Sequence, residues 1–173
     1  DQVGLILFGQ EIELLIPPFK GTAHIHRIME ALFTYKPKKS TKTNLKGALE
    51  FVAKLKKRNH MLFCISDFIA TNFEKPLSLL SHKHDFVAIR CLDKNEIVFP
   101  NVGLLPMQDD ETGQTMVLDT RIISAKKLKN IFDQRIAQQN SLFKKYGIDC
   151  VDIQPGNPFV GNLIRFFRQR MQY

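Results

Sequence analysis

Two polar side chains with oxygen ligands, Thr43 and Asp67, stand at predicted junctions between helices and strands. Asp67 follows the apolar run 61–65, which is typical of a strand buried on both faces of a parallel sheet. Residues that follow such strands lie at the carboxyl edge of the sheet, where open α/β folds bind ligands. A hydroxyl and a carboxylate at one edge suit Mg²⁺, because this ion keeps several of its waters and is often held by only one or two carboxylates. The alternative interpretation makes Thr43 a helix N-cap and Asp67 the cap of the next turn.

Motifs for catalysis are scarce in this chain. The sequence contains no Gly-rich phosphate loop, no His-Glu-x-x-His and no Gly-x-Ser-x-Gly. His24 and His26 fall in a predicted helix, where alternate positions diverge, and His82 and His84 lack nearby acidic or thiol ligands except Asp85. We therefore expect surface histidines in both pairs. A hydrolase or phosphoryl-transfer enzyme that uses Asp67 would need a second acid or a base, and the sequence supplies no compelling one. We therefore predict that the protein is not an enzyme.

Basic residues give the chain a formal net charge of +8 and concentrate at 36–46, 54–58 and 165–170. These clusters predict solvated helix faces and a loop, and the first cluster also supports an alternative function, a nucleic-acid-binding module. Only Tyr35 adds an aromatic ring to the first cluster, which disfavours nucleic acid as the partner because single-strand binders stack bases on aromatic platforms. The candidate partner-contact residues in this region are Lys38, Lys39, Lys42 and Asn44.

Hydrophobic periodicity predicts an α/β fold in which a mostly parallel sheet is flanked by helices. Strands are expected at 3–8, 11–16, 61–65, 84–92 and 150–153, and helices at 21–33, 44–57, 73–81, 124–146 and 158–171. Strand-like pieces at 103–108 and 114–118 predict a β-hairpin extension within about 97–120. The length of 173 residues fits one domain, 1–173, closed by a helix at about 158–172.

Local signals sharpen several of these boundaries. Thr22 is the expected N-cap of the first helix, and Gly147 is expected to end the long helix. The pair Pro17-Pro18 is expected to end the second strand, at the edge of a sheet. The cysteines at 64, 91 and 150 fall in or beside apolar runs without a Cys-x-x-Cys spacing, so they predict buried free thiols.

An ordered set of short stretches links this chain to a known family. The set is Asp1-Gln-Val-Gly-Leu-Ile-Leu-Phe-Gly, Ile16-Pro-Pro, Thr43-Asn-Leu, Ile65-Ser-Asp-Phe, His84-Asp-Phe-Val-Ala-Ile-Arg, Val102-Gly-Leu, Asp110-Glu-Thr-Gly, Gly147-Ile-Asp and Leu163-Ile-Arg-Phe-Phe-Arg-Gln-Arg. Together these stretches resemble the bacterial family called domain of unknown function 58. The resemblance covers nearly the whole chain, and the order of the stretches is preserved.

The resemblance implies a von Willebrand factor A-like core and a role in protein interactions. Genes of the family typically sit beside those of MoxR-type AAA+ ATPases, which implies an adaptor or co-chaperone with an ATPase and a client protein as partners. Such cores bind ligands at a metal-ion-dependent adhesion site built from three loops, which carry Asp-x-Ser-x-Ser, a threonine and an aspartate. Thr43 matches the second loop and Asp67 the third, and Mg²⁺ is the implied cofactor in the full-length parent.

Two departures from the family pattern are visible in the sequence. The first loop and its strand would lie before Asp1, and Asn44 stands where the family often has aspartate, so tight metal binding by this chain is not expected. The absent strand would lie between strands 3–8 and 61–65, and we expect the gap to be closed by direct pairing or by self-association. No apolar run approaches the roughly 20 residues that span a bilayer, so the cytoplasm is the expected location, with membrane association of the parent left open.

Overall fold

Strands and helices alternate along the chain in the order that the periodicity predicts. The computed structural model describes residues 1–37, 43–55, 59–92, 103–108, 115–119, 125–154, 156 and 158–170. The strands are β1 (Val3–Phe8), β2 (Ile12–Phe19), β3 (Met61–Ser66), β4 (Asp85–Cys91), β5 (Leu104–Gln108), β6 (Thr115–Asp119) and β7 (Asp149–Ile153). The helices are α1 (Thr22–Thr34), α2 (Leu45–Lys54), α3 (Glu74–Lys83), α4 (Ala125–Lys145) and α5 (Val160–Arg170).

A parallel sheet with the strand order β3-β4-β7 forms the centre of the fold. Helix α3 connects β3 with β4, and α4 precedes β7, as crossovers between parallel neighbours require. The register places Ser66 beside Arg90 and Arg90 beside Asp152, so these three residues lie in one row at the carboxyl edge. The α/β prediction is confirmed, and the predicted hairpin is present as the antiparallel pair β5-β6.

One face of the parallel sheet packs on the hydrophobic core. Leu62, Phe86 and Ala88 point into this core from β3 and β4, and helices α2, α3 and α4 cover it with leucines and phenylalanines. The buried members of the cluster are Leu45, Leu49, Phe68, Phe73, Leu77, Leu80, Phe86, Ala88, Phe143 and Ile148. Because apolar residues recur at helical spacing in α2 and α3, each of these helices presents one apolar face to the sheet.

The opposite face of the sheet is covered by α5 and remains partly open at β3. The rings of Phe63 and Phe167 meet edge to face with centroids 5.8 Å apart, and Arg170 forms ion pairs with Asp85 and Asp149. Despite these contacts, the β3 side chains on this face stay exposed, by 53% at Met61, 44% at Phe63 and 61% at Ile65. The prediction that β3 is buried on both faces is therefore wrong for this face.

β1 and β2 form a separate antiparallel hairpin. The prediction that Pro17-Pro18 ends the second strand is wrong, because β2 continues to Phe19, which pairs with Val3. An irregularity in the register between Val3 and Leu5 lies opposite the prolines. Within the described residues β2 pairs with β1 alone, so it is an edge strand, the position at which a sheet tolerates proline.

Hydrogen bonds near the two ends of α2 connect this helix with the approach to β3 and with the end of β1. At the end of α2, Ala53 O accepts a hydrogen bond from Lys83 Nζ, and Lys83 O accepts one from the N–H of Asn59, just before β3. The end of α2 therefore lies near the amino end of β3. At the start of α2, the N–H of Asn44 donates to Gly9 O at 2.8 Å, which places the end of β1 beside the start of this helix.

β1 and β3 do not pair with each other in the described part of the chain. Among the described residues β1 hydrogen-bonds to β2 and β3 to β4, so each keeps one unpaired edge. Phe8 of β1 and Leu62 of β3 nevertheless pack against the same core cluster. The expected direct pairing of these strands is therefore wrong, and self-association through the open edges stays a prediction.

The helix ends correct one predicted cap and confirm another. Helix α1 is capped by Gly21, with φ 103° and no side-chain hydrogen bond, so the prediction of Thr22 as N-cap is wrong. Gly147, with φ 63°, follows α4 as predicted. The N–H of Ile148 donates to Phe143 O at 2.9 Å and the N–H of Gly147 to Lys144 O at 3.2 Å, which is the Schellman pattern. None of the described helices combines the length and the apolar character needed to cross a membrane.

Candidate functional site

The Asp67 carboxylate sits on a tight turn that immediately follows β3. Its Oδ1 accepts a hydrogen bond from the N–H of Ile69 at 2.9 Å, and Ser66 Oγ accepts one from the N–H of Phe68 at 3.0 Å. Phe68 has φ 56°, a left-handed conformation that two such side-chain hydrogen bonds help to hold. Because Phe68 is anchored in the core and Asp67 is exposed, the turn presents the carboxylate outward on a fixed base.

A polar network centred on the buried side chains of Arg90 and Gln139 holds the backbone of this turn. Arg90, only 2% exposed, donates from Nε and Nη2 to the two carboxylate oxygens of Asp152, at 2.8 and 2.9 Å. Its Nη1 donates to Gln139 Oε1 at 2.9 Å, and Gln139 Nε2 donates to the carbonyls of Asp67 and Phe68 at 3.2 and 3.1 Å. The bidentate pairing compensates for burial of the guanidinium charge.

Sequence reasoning missed this network, although one signal for it was present. Arg90 interrupts the apolar strand β4, and Asp152 interrupts the apolar strand β7, so a charge of each sign was placed inside a predicted buried strand. Buried charges are normally paired. Gln139 gave no such signal, because it lies among polar residues on α4.

Thr43 and Asn44 stand at the start of α2. Asn44 is the N-cap, since its Oδ1 accepts a hydrogen bond from the N–H of Gly47 at 2.8 Å. The alternative reading of Thr43 as the N-cap is therefore wrong by one position. Asn44 also contacts the β1-β2 turn through its N–H on Gly9 O and its Nδ2 on Gln10 O, at 2.8 and 3.4 Å. Both Thr43 and Asn44 are exposed.

The predicted residues lie on two segments of the chain. Asp67 follows β3 directly, and Thr43 and Asn44 precede α2, whose start is hydrogen-bonded to the turn after β1. The described hydrogen bonds thus join Asn44 to the β1-β2 turn and to α2, and Asp67 to its own turn and Gln139, so a shared site of Thr43 and Asp67 stays a prediction. The candidate contacts Lys38, Lys39 and Lys42 lie outside the described residues.

Comparison with known proteins identifies the family of this chain. Residues 1–141 match the family described as "Protein of unknown function DUF58". The chain belongs to the DUF58 family. Its predicted membership is thereby confirmed, and the match includes Thr43, Asn44 and Asp67. No solved structure matches this DUF58 chain.

Curated relatives of this DUF58 chain come from mycobacteria. An uncharacterized protein of Mycobacterium avium is 25% identical over 134 residues, which cover 73% of this chain and 76% of that relative. Uncharacterized proteins of Mycobacterium bovis and Mycobacterium tuberculosis are 25% identical over 115 residues. That match covers 65% of this chain but only 36% of each of those two relatives, about a third of their length.

The oxygen atoms beside Asp67 form a sparse set for a hard cation. Asp67 Oδ1 is engaged by Ile69, which leaves Oδ2 as its second carboxylate oxygen, and the hydroxyl of the adjacent Ser66 is a further oxygen. Asn44 Oδ1 is used as the helix cap, so this residue does not supply an oxygen. The described residues contain no cluster of three His, Cys, Asp or Glu side chains able to hold a metal. Mg²⁺ tolerates so sparse a set because it retains waters.

Histidines and cysteines elsewhere give no second candidate centre. The expectation of surface histidines is wrong for His84, which is buried, stacks on His60 with centroids 5.6 Å apart, and accepts at Nδ1 from the N–H of His60. Burial, His60 and Lys83 lower the pKa of His84. The cysteines are free, and burial raises the pKa of the Cys64 and Cys150 thiols to about 12, which keeps both protonated.

Cys91 lies within electrostatic reach of the candidate edge. Burial first, and the nearby Asp67 carboxylate second, raise the pKa of the Cys91 thiol. A raised pKa opposes formation of the Cys91 thiolate, which is the form that acts as a nucleophile or a metal ligand. The exposed carboxylate of Asp67 is therefore the main chemical feature of this part of the edge.

Proposed function

We propose that this DUF58 chain is a non-enzymatic protein-interaction module, an adaptor or co-chaperone that works with a MoxR-type AAA+ ATPase. In this proposal, a divalent cation at the Asp67 edge contributes to partner binding. The observation that carries the proposal is an exposed carboxylate mounted on a turn whose backbone carbonyls are held by the buried Arg90–Gln139 pair. Preorganised side chains of this kind favour binding because little conformational freedom is lost when the partner arrives.

The charges around Asp67 support binding rather than catalysis. Asp152, the carboxylate in the same row at the sheet edge, has both oxygens engaged by Arg90. It therefore does not act as a ready general base, which must be able to accept a proton from substrate. Thr43 and Ser66 would add neutral oxygens, and Mg²⁺ bound there would supply positive charge that attracts a carboxylate of the partner.

A metal titration tests the cation part of this proposal. Mg²⁺ or Mn²⁺ is added while the melting temperature is followed for the unmodified protein, Asp67→Asn and the control Asp133→Asn. Asparagine at 67 keeps a side-chain oxygen for the N–H of Ile69 but removes the charge, whereas Asp133 is an exposed acid on α4. Cation at about ten times its dissociation constant stabilises the fold by about 1.4 kcal/mol. For a domain of this size, that stabilisation raises the melting temperature by about 3–6 °C.

The two variants give the titration a clear outcome. We expect the rise in the unmodified protein and in Asp133→Asn, and its loss in Asp67→Asn. An equal rise in all three proteins would place the cation elsewhere, and no rise in any of them would remove the metal from the proposal.

A further inference from the structure

A cavity of about 370 Å³ opens directly beside the Asp67 turn. It lies between residues 68–74 and the second half of α4, and its apolar lining comes from Phe68, Ile69, Ala70, Phe73 and Leu142. Because Ile69 donates its N–H to Asp67 Oδ1 at 2.9 Å, the cavity rim and the candidate metal ligand belong to the same turn. A partner that contacts Asp67 therefore also reaches the cavity.

The floor of the cavity is apolar and already formed. Phe68 and Phe73 are 2% and 4% exposed, and the ring of Phe68 meets that of Phe143 edge to face with centroids 5.1 Å apart. Gln139, the polar residue of the lining that is buried, directs its amide to the carbonyls of residues 67 and 68 and to Arg90. With these polar atoms engaged, the floor favours an apolar group.

The rim of the cavity is mostly polar and of mixed charge, and the exposed side chain of Ile69 is its apolar part. Glu74 and Arg135 contribute opposite charges to the lining, and Thr71 and Gln138 contribute neutral polar groups. Opposite charges at one rim give no preference for an anionic or a cationic ligand. An apolar floor with a polar rim is the arrangement that receives anchor side chains in protein interfaces.

We propose that this cavity receives one aromatic or branched aliphatic side chain of the protein partner. The inference rests on the proposed function, since it assumes that a protein docks at the Asp67 edge. A dry apolar cavity of about 150 Å³ is enough to bind benzene. The observed volume therefore accommodates one side chain together with part of its backbone, and lies at the small end of ligand pockets, which span about 300–1,000 Å³.

Titration with a minimal side-chain probe tests this cavity. The ¹⁵N-labelled protein is titrated with N-acetyl-phenylalanine amide, and N-acetyl-glycine amide serves as the probe without a side chain. We expect amide shifts at Ile69, Ala70 and Leu142 with the first probe only, and a dissociation constant in the millimolar range. Thr71→Trp, which places a ring at the rim, should weaken binding at least tenfold.

Matched variants separate occlusion of the cavity from general damage. Leu79→Trp adds the same ring at an exposed position of α3 that is outside the cavity lining, and it should leave binding unchanged. Ala70→Leu fills the cavity from its wall and provides a second test should Thr71→Trp fail to fold. Shifts that appear elsewhere, equal shifts with the glycine probe, or no shifts up to the solubility limit would overturn the proposal.

The same titration distinguishes this inference from the proposed metal site. It is repeated in Mg²⁺, in chelator and with Asp67→Asn. Binding of the phenylalanine probe under all three conditions, without any Mg²⁺-induced shift, would retain the cavity and reject the metal. Mg²⁺-induced shifts in the Asp67 turn without probe binding would reject the cavity and retain the metal.

Discussion

Replacing Gln139 tests whether the buried network fixes the Asp67 turn. Gln139 makes two hydrogen bonds to backbone carbonyls and one to the Arg90 guanidinium, all within 2.9–3.2 Å. A neutral hydrogen bond contributes about 0.5–1.5 kcal/mol, and one to a charged group about 1.5–3 kcal/mol. Gln139→Met keeps an unbranched side chain and a good helix former, so the loss should come mainly from these bonds. We expect the free energy of unfolding to fall by about 3–5 kcal/mol.

That loss is large against the about 5–15 kcal/mol by which folded domains are stable. Urea unfolding at pH 7 measures it, and hydrogen exchange at the amide of Ile69 reports on the turn itself. Gln138→Met is the matched control, because the neighbouring Gln138 is exposed and its replacement should change stability by no more than about 0.5 kcal/mol. Equal losses in the two variants, or unchanged exchange at Ile69 in Gln139→Met, would refute the role given to the network.

Three further predictions follow from other parts of the fold. Gly147→Ala should lower the free energy of unfolding in urea by about 1–2 kcal/mol, because the backbone at position 147 is left-handed. Gly161→Ala, within α5, should not lower it, and equal effects of the two substitutions would contradict this prediction. Because burial lowers the pKa of His84, its contribution to stability should be complete above about pH 6.5 and lost as pH falls through the lowered value. Urea midpoints from pH 7.5 to 5 measure this loss, and an unchanged slope in His84→Asn would argue against it. If the protein self-associates through the open β3 edge, light scattering should show dimers whose fraction rises with concentration. Ile65→Lys should abolish these dimers, whereas Ile131→Lys, at another exposed position, should not. A monomer at all concentrations would contradict the prediction.

The sequence predicted the Asp67 position well because the signal was local. An apolar run that stops at Ser66-Asp67 defines both a strand and the point at which it ends, without information from distant residues. The helix around Ala48 and Leu49 was similarly evident from its apolar spacing. Both features depend on residues within a few positions of one another.

Features that depend on distant pairs were not predictable in this way. Arg90 meets Gln139 across 49 residues and Asp152 across 62, so their contacts require the register of β4 and β7 and the placement of α4. His84 illustrates the same limit. Its neighbours Lys83 and Asp85 are charged, which indicates a surface, yet the turn from α3 into β4 stacks its ring on His60.

The exposure of β3 shows where sequence composition and structure disagree. The run Met61–Ser66 is typical of a central strand, but β3 ends the parallel sheet and β1 lies in a separate hairpin. The apolar composition of a strand predicts that its side chains are buried. Their observed exposure depends on which strands and helices pack beside that strand. The same reasoning applies to β1, whose apolar residues 5–8 are only half-buried.

Affinity for the ATPase at constant Mg²⁺ tests most directly whether the Asp67 edge is a docking site. Purified cognate MoxR-type ATPase is titrated onto the unmodified protein, Asp67→Asn and Asp133→Asn, with binding followed by interferometry. We predict at least a tenfold weaker complex for Asp67→Asn alone, about 1.4 kcal/mol. Equal affinity for all three proteins, or a complex that forms only through salt-sensitive contacts insensitive to position 67, would contradict the account.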